Sequence, residues 1–114
     1  MKLRDELCLK PATELADLVA SRDISAAELC EAHLDRIEAY NPHLNAVVTL
    51  VPDLARELAA EVDRKLARGD AAGPLAGLPV AHKDLVPTAG IRTTMGSPIF
   101  ADHVPSSSLR ADRS

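Results

Sequence analysis

Lys83 is the residue of this sequence best placed to do acid–base chemistry. It follows residues 78–81, a short apolar run preceded by Gly77, which predicts a short buried strand ending at residues 82–84. Because active-site groups of open α/β sheets collect at the carboxyl ends of strands, we expect this lysine to be partly desolvated. Desolvation disfavours the charged ammonium and lowers its pKa, which suits Lys83 to act as a general base. The spacing alone is also typical of a solvated loop lysine, so the two interpretations are distinguished by the sequence of the surrounding segment.

The side chains near Lys83 and the other reactive residues offer fewer roles. Asp84 either orients Lys83, fixes the turn that follows it, or is a plain carboxylate at a strand end. We expect a structural role for His82. The remaining histidines lack the spacing of metal ligands, and they are His33, His43 and His103. Cys8 and Cys30 form no C-x-x-C pair or zinc-like cluster, which indicates reduced thiols. The sequence therefore predicts no metal site and no organic cofactor.

Two helices are predicted in the first part of the chain. The first has Thr13 as its N-cap and an exit at residues 21–23, and its apolar residues are Leu15, Leu18 and Val19. The second begins at Ser25, which forms a capping box with Glu28. Its apolar face carries Leu29, His33, Ile37 and Tyr40. We expect it to end at residues 41–42, Asn-Pro, because proline disfavours a helical residue before it.

A third helix is predicted from Pro52 to a C-terminal cap at Gly69. Its apolar residues are spaced by four, and they are Leu54, Leu58, Val62 and Leu66, with Ala55 and Ala59 alongside. Residues 45–51 are short, apolar and β-branched, so they form either a strand or an extended connection. Residues 88–97 are typical of a turn with a possible short strand. Helices followed by a strand indicate a helical preamble, residues 12–70, to an α/β core that starts within residues 71–105. The polar residues 106–114 are typical of an irregular tail.

The segment around Lys83 resembles a known family when it is read as a whole. Residues 73–84 read G-P-L-A-G-L-P-V-A-H-K-D, which is similar to the "G-P-L-x-G-x-P-x-x-x-K-D" segment of the amidase-signature family. Residues 90–97, G-I-R-T-T-M-G-S, resemble its "G-x-x-T-T-x-G-S" continuation, and residues 36–46 resemble its "R-I-E-A-x-N-P-x-L-N-A" segment. These motifs follow the family's order and spacing over about residues 13–105, which identifies the chain as a member.

The resemblance implies a fold, a reaction and a role for Lys83. The family fold is α/β, with a mixed central sheet covered by helices, so this chain alone is expected to be mainly α-helical with one or two short strands. Family members cleave the C–N bond of small carboxamides with a Ser, cis-Ser, Lys triad. The lysine of that triad matches Lys83, with Asp84 in a supporting position. It takes a proton from a bridging serine, which in turn activates the nucleophilic serine.

The sequence departs from the family pattern in one respect. The Gly/Ser-rich signature that holds both catalytic serines lies well downstream of the lysine segment in the family. Residues 106–108, Ser-Ser-Ser, lack its glycines and come too early. Thr93, Thr94 and Ser97 match a family loop and not the nucleophile. We therefore expect residues 1–114 to be a single N-terminal fragment of an amidase domain, inactive alone.

Two alternatives to a simple amidase stay open at this point. The first is the glutaminase-like subunit of a tRNA-dependent amidotransferase, which releases ammonia from glutamine and passes it to a partner protein. The second is a non-catalytic helical interaction module, whose amphipathic helices dock on a partner through their apolar faces.

Composition restricts the class of protein further. Lys and Arg total 13 against 17 Asp and Glu, for a net charge of −4 without a basic stripe. Tyr40 and Phe100 are the only aromatic residues, so neither feature of a direct nucleic-acid binder is present. No apolar run approaches the roughly 20 residues of a membrane span, and no signal-peptide pattern opens the chain. We expect a cytoplasmic protein that binds no membrane. The sequence does not determine its oligomeric state.

Overall fold

The computed structural model describes residues 3–108, and four α-helices provide its regular structure. They are α1 (Leu3–Cys8), α2 (Ala12–Ala20), α3 (Ala26–Leu44) and α4 (Pro52–Ala67), followed by a short 3₁₀ helix at Pro98–Phe100. An isolated antiparallel bridge between Thr88 and Ile91 is the only β-pairing among these residues. The expectation of a mainly helical chain is confirmed. None of the described helices is both long and apolar enough to cross a membrane.

The chain forms two compact units. The first contains the residues up to Ala46 together with Pro52–Pro79, so it holds all four α-helices. The second contains Val47–Val51 and the residues from Val80 onward, which include Lys83. The predicted helices therefore all lie in the first unit, and the candidate site lies in the second.

The larger core cluster of the first unit combines residues of α1, α2 and α3. Its buried members are Leu7, Leu15, Val19, Leu29 and Ala32. Val19 and Leu29 are buried most completely, at 1% and 0% exposure. Helix α1 was not predicted, because six residues make fewer than two turns and cannot show a helical period.

Helix α2 begins two residues earlier than predicted. Its first residue is Ala12 and its N-cap is Pro11, so the expectation of Thr13 as N-cap is wrong. Pro11 has φ −64° and ψ 151°, an extended conformation that is natural for proline just before a helix. The exit is where it was expected, with Ser21 as C-cap and Arg22 in the left-handed region at φ 64°.

The start of α3 is confirmed, and a second helix contributes to it. Ser25 Oγ accepts a hydrogen bond from the backbone N–H of Glu28 at 2.9 Å. The N–H groups of Ala26 and Ala27 donate to the two carboxylate oxygens of Asp63 on α4, at 2.7 and 3.0 Å. Three otherwise unpaired N–H groups of the first turn are thus satisfied.

The expected end of α3 at residues 41–42 is wrong. The helix continues through Pro42 to Leu44, and Asn45 closes it with φ 50° and an N–H donated to the carbonyl of Asn41 at 2.7 Å. Proline removes one helical hydrogen bond, the one to Glu38. Glu38 and Pro42 are both outside the core, so water can replace that bond on this side of the helix.

Helix α4 begins at Pro52 as predicted, but its buried face differs from the predicted one. Leu54 and Leu58 are exposed at 38% and 52%, whereas Ala59 is buried. A spacing of four residues advances about 40° beyond a full turn, so the predicted stripe rotates away from a fixed core. The inward set follows the true helical period, namely Ala55, Ala59, Val62 and Leu66.

The predicted cap of α4 at Gly69 is confirmed, and its hydrogen bonds form a Schellman motif. Gly69 has φ 79°, and its N–H donates to the carbonyl of Leu66 at 3.1 Å. The N–H of Asp70 donates to the carbonyl of Lys65 at 3.0 Å. Glu61 and Lys65 of α4 form an ion pair at 3.9 Å.

Residues 78–81 do not form the predicted strand, and residues 45–51 form a connection without strand pairing. A strand exists only through hydrogen bonds to a neighbouring strand, and neither segment forms a β-ladder within the described residues. Both segments are apolar, as the sequence shows, but an apolar composition does not by itself provide the hydrogen bonds between strands.

Candidate active site

The candidate base Lys83 lies at the start of a β-turn. The N–H of Val86 donates to the carbonyl of Lys83 at 2.9 Å, which makes Asp84 and Leu85 the central residues of the turn. The Lys83 side chain is exposed, and its Nζ has no hydrogen-bond or ion-pair partner among residues 3–108. The expected desolvation of Lys83 is therefore not observed, because no sheet forms around residues 78–83.

Asp84 is joined to a second turn by three hydrogen bonds. Its Oδ1 accepts from the Thr94 N–H at 2.8 Å, and its Oδ2 accepts from the Thr94 hydroxyl. Its backbone carbonyl accepts from the Met95 N–H at 2.9 Å. The hydrogen bonds from the side chain and backbone of Thr94 hold the pKa of Asp84 below its usual range. Of the roles considered for Asp84, these contacts correspond to fixing a turn.

The second turn spans residues 94–97 and has the geometry of type I′. Its two central residues both have positive φ, 56° at Met95 and 68° at Gly96, and the N–H of Ser97 donates to the carbonyl of Thr94 at 3.0 Å. A methionine in the left-handed region is strained by about 1 kcal/mol. The Met95 N–H bond to Asp84 holds the residue there.

Residues 103–105 form a third segment, which is hydrogen-bonded to the residues just before the second turn. The N–H groups of Thr93 and Gly90 donate to the carbonyls of His103 and Pro105, at 2.9 and 3.0 Å, in an antiparallel sense. Thr93 is buried at 3% exposure. Ser108 Oγ accepts from the Ala89 N–H at 2.9 Å, so the first residues of the predicted tail, 106–108, are irregular but anchored. Residues 109–114 of that tail lie outside the described residues.

Arg92 is a residue whose structural role the sequence did not reveal. Its Nε donates to the carbonyl of Ala101, and its Nη1 donates to Thr49 Oγ1 at 3.2 Å and to the Val48 carbonyl at 3.4 Å. It thereby ties the 3₁₀ region to residues 47–51 within the second unit. The only available signal was its position inside the "G-x-x-T-T-x-G-S" segment, which says nothing about distant carbonyls.

The remaining candidate residues lie apart from this arrangement. His82 is exposed, and Cys8 and Cys30 are free thiols. Burial raises the pKa of both cysteines, so neither has the character of an activated nucleophile. Among residues 3–108, no group of three or more His, Cys, Asp or Glu side chains is arranged to hold a metal ion.

Comparisons with known proteins agree with the motifs. The Amidase family model matches residues 28–110. The chain is similar to a glutamyl-tRNA(Gln) amidotransferase subunit of Carboxydothermus hydrogenoformans, with 47% identity over 100 residues that cover 88% of this chain and 21% of that protein. It is also similar to the corresponding subunit of Granulibacter bethesdensis, with 52% identity over 92 residues, 81% of this chain and 18% of that protein.

Solved structures give the same result. A bacterial aryl acylamidase of the amidase-signature family superposes with a TM-score of 0.81 at 37% identity, over 88% of this chain and 21% of the other. A chain from a vestigial protein complex, described for the origins of an s-triazine catabolic enzyme, superposes with a TM-score of 0.79 at 35% identity, over 84% of this chain and 21% of the other. The chain spans about a fifth of the length of these relatives. On the combined evidence of motifs, family model and superposition, this chain belongs to the amidase family.

Proposed function

We propose that this chain carries the base-lysine segment of an enzyme that hydrolyses carboxamide C–N bonds to a carboxylate and ammonia or an amine. The observation that carries the proposal is Lys83 in its family motif, inside a chain whose family model matches residues 28–110. In the proposed Ser, cis-Ser, Lys triad, Lys83 takes a proton from the bridging serine. That serine then activates the nucleophile, which attacks the amide carbonyl.

The side chain of Lys83 is accessible. It is exposed and has no carboxylate partner among residues 3–108, and the adjacent Asp84 carboxylate accepts hydrogen bonds from Thr94. The amine of Lys83 is therefore accessible, and the next residue of the turn, Asp84, is held in place by its hydrogen bonds to Thr94.

The family's Gly/Ser-rich signature is not found in residues 1–114. We therefore propose that these residues do not hydrolyse amides by themselves, and that the serines have to be supplied with them. The proposed substrate is a small amide. The proposed location is the cytoplasm, which the two free thiols Cys8 and Cys30 support.

A second candidate function is the glutaminase step of a tRNA-dependent amidotransferase. It is favoured by the names of the similar curated proteins, which are glutamyl-tRNA(Gln) amidotransferase subunits with 47% and 52% identity. In that function the amide is the side chain of glutamine, and the ammonia passes to a partner protein instead of being released. The chemistry at Lys83 is the same in both functions.

A hybrid enzyme tests the amidase proposal. Residues 3–108 replace the part of the bacterial aryl acylamidase that superposes on them, so that the acylamidase supplies the serines. We expect the hybrid to release the arylamine from an aryl acylamide, and the 114-residue chain to release none under the same conditions. A hybrid that is folded, by circular dichroism, and inactive would count against a simple amidase, and it would favour a non-catalytic helical module if the amidotransferase hybrid described next is inactive as well.

The same approach separates the two functions. A hybrid built on the related glutamyl-tRNA(Gln) amidotransferase subunit is assayed for glutamine hydrolysis in the presence of the other components of that enzyme. If this hybrid is active while the acylamidase hybrid is inactive, the glutaminase function is supported. The reverse result supports a simple amidase.

A further inference from the structure

We infer that Thr94 is a positioning residue for Lys83, and that it acts through Asp84. This inference rests on the proposed function of Lys83 as the base. Thr94 contacts Asp84 through both its N–H and its hydroxyl, while the following Met95 N–H binds the Asp84 carbonyl. The side chain and the backbone of the residue next to Lys83 are thus held at three points by two consecutive residues.

The geometry explains how this arrangement can act on Lys83. Two turns are placed against each other, residues 83–86 and residues 94–97, each closed by its own hydrogen bond from residue i+3 to residue i. Asp84 is the first central residue of the first turn, so anchoring it restricts the backbone on the carboxyl side of Lys83. The Lys83 side chain itself remains unobstructed and exposed. The anchor therefore fixes the backbone from which the Lys83 side chain extends, without contacting the amine itself.

Thr94 is suited to this task in a way that its neighbour Thr93 is not. Both threonines are buried, at 9% and 3% exposure. The hydroxyl of Thr93 donates to the nearby carbonyl of Ile91 at 3.1 Å, a bond within its own segment. The hydroxyl of Thr94 instead donates across ten positions to Asp84. The adjacent threonines thus provide a matched pair. Thr93→Val removes one local hydrogen bond, whereas Thr94→Val removes the bridging bond to Asp84 together with a local bond that Thr94 Oγ1 accepts from the Gly96 N–H at 3.4 Å.

Backbone hydrogen exchange of the full 114-residue chain, followed by NMR, measures the anchor directly. The Val86 amide reports on the Lys83 turn, and the Met95 amide reports on the bond to the Asp84 carbonyl. In Thr94→Val, we expect both amides to exchange about tenfold faster. In Thr94→Ser, which retains the hydroxyl, and in the control Thr93→Val, we expect rates at Val86 within about twofold of the parent chain. Helical amides of α3 serve as the internal test that each variant is folded.

Asp84→Asn provides a second route to the same answer, because it keeps the size of the side chain and removes the charged acceptor. We expect it to accelerate exchange at Val86 and Met95 as Thr94→Val does. Unchanged exchange at Val86 in both variants would overturn the inference. So would an equal acceleration by Thr93→Val.

Activity of the acylamidase hybrid separates this inference from the proposal on which it rests. We expect Thr94→Val to lower kcat by about ten- to a hundredfold with KM nearly unchanged, and Thr94→Ser to restore kcat, because misplacing a catalytic group by about 1 Å is costly. If Lys83→Ala leaves the hybrid active, the proposed function fails, and the exchange rates alone decide whether the anchor exists. If Lys83→Ala abolishes activity while Thr94→Val changes neither exchange nor kcat, only the positioning role fails.

Discussion

Asp84 uses its carboxylate and its main-chain carbonyl toward the same two residues, Thr94 and Met95. A carboxylate that accepts two hydrogen bonds is stabilised in its charged form, which is why the pKa of Asp84 is lowered. The same bonds retain a methionine at φ 56°, a conformation that an L-residue rarely adopts. Charge, turn geometry and backbone strain therefore depend on one another at this residue.

Acid should weaken the contribution of Asp84 to stability. A folded-state pKa below the unfolded value means that the stabilisation is fully present above about pH 3.9 and is lost as the pH falls through the folded-state pKa. We therefore expect Asp84→Asn to lower the free energy of unfolding at neutral pH, and the gap to the parent chain to narrow in acid. Urea denaturation at about pH 7 and about pH 2 measures both gaps.

Asp102→Asn is the control for this measurement, since Asp102 is an exposed aspartate of the same unit. It should leave the free energy of unfolding nearly unchanged at both pH values. A gap for Asp84→Asn that is as large in acid as at neutral pH would show that the charge of Asp84 does not contribute.

At the scale of residues, sequence motifs identified Lys83 and Asp84 but not the contacts around them. The bond between Thr94 and Asp84 spans ten positions of irregular chain, where no periodicity relates one residue to another. The Arg92 contacts with residues 48 and 49 span 44 and 43 positions. Such contacts follow from how the turns pack, and a motif records only which residues occur.

Among the elements, α3 depends on a residue of α4 for its N-terminal cap. Asp63 accepts from both Ala26 and Ala27, next to the Ser25 cap. In Asp63→Asn, an NH₂ group faces one of these N–H donors, and the negative charge at the helix N-terminus is lost. We expect the free energy of unfolding to fall by about 1–2 kcal/mol, measured by urea denaturation.

Glu57→Gln is the matched control, because Glu57 is an exposed carboxylate on the same helix. It should change the free energy of unfolding by less than about 0.5 kcal/mol. An equal loss in both variants would indicate a general effect of charge and not a specific cap.

Gly77 is confined by the core of the first unit as well as by its backbone. Its φ is 85°, and a Cβ at this position would lie 2.9 Å from Val19 Cγ1 and 3.1 Å from Ala26 Cβ. Gly73 has a similar φ of 92°, with no neighbouring atom within 4 Å of such a Cβ. The two glycines therefore separate backbone strain from steric overlap.

We expect Gly73→Ala to lower the free energy of unfolding by about 1–2 kcal/mol through backbone strain alone. For Gly77→Ala we expect a further loss of about 1–3 kcal/mol, because Val19 is fully buried and cannot move away without disturbing the core. Urea denaturation of the two variants measures the difference. Equal losses would contradict the predicted overlap.

Prediction of the elements succeeded where local signals determine them. The caps predicted at Ser25 and Gly69 are short-range features, and both are present. Pro42 misled the prediction, because the helix can accept a missing hydrogen bond on a side open to water. The strand expected at residues 78–81 is absent from the described residues, because a strand depends on partners that no local pattern specifies.

For the molecule as a whole, family membership and local structure provide different information. The superpositions place this chain on about a fifth of each related structure. The described residues provide helices, two anchored turns and an unobstructed Lys83. Under our proposal this part supplies the base of an amide hydrolase, and the nucleophile belongs to the serine signature that is not found in residues 1–114.

The most direct test of the role of Lys83 is the rate of amide hydrolysis by the acylamidase hybrid with Lys83→Ala, compared with the same hybrid carrying Lys65→Ala. Lys65 is a lysine of α4 in an ion pair with Glu61, outside the motif of residues 73–84. We predict that Lys83→Ala lowers kcat by about 10²–10⁴-fold, the usual contribution of a general base, while Lys65→Ala leaves kcat within about twofold of the parent hybrid. A Lys83→Ala hybrid that retains the parent kcat would contradict the assignment of Lys83 as the base.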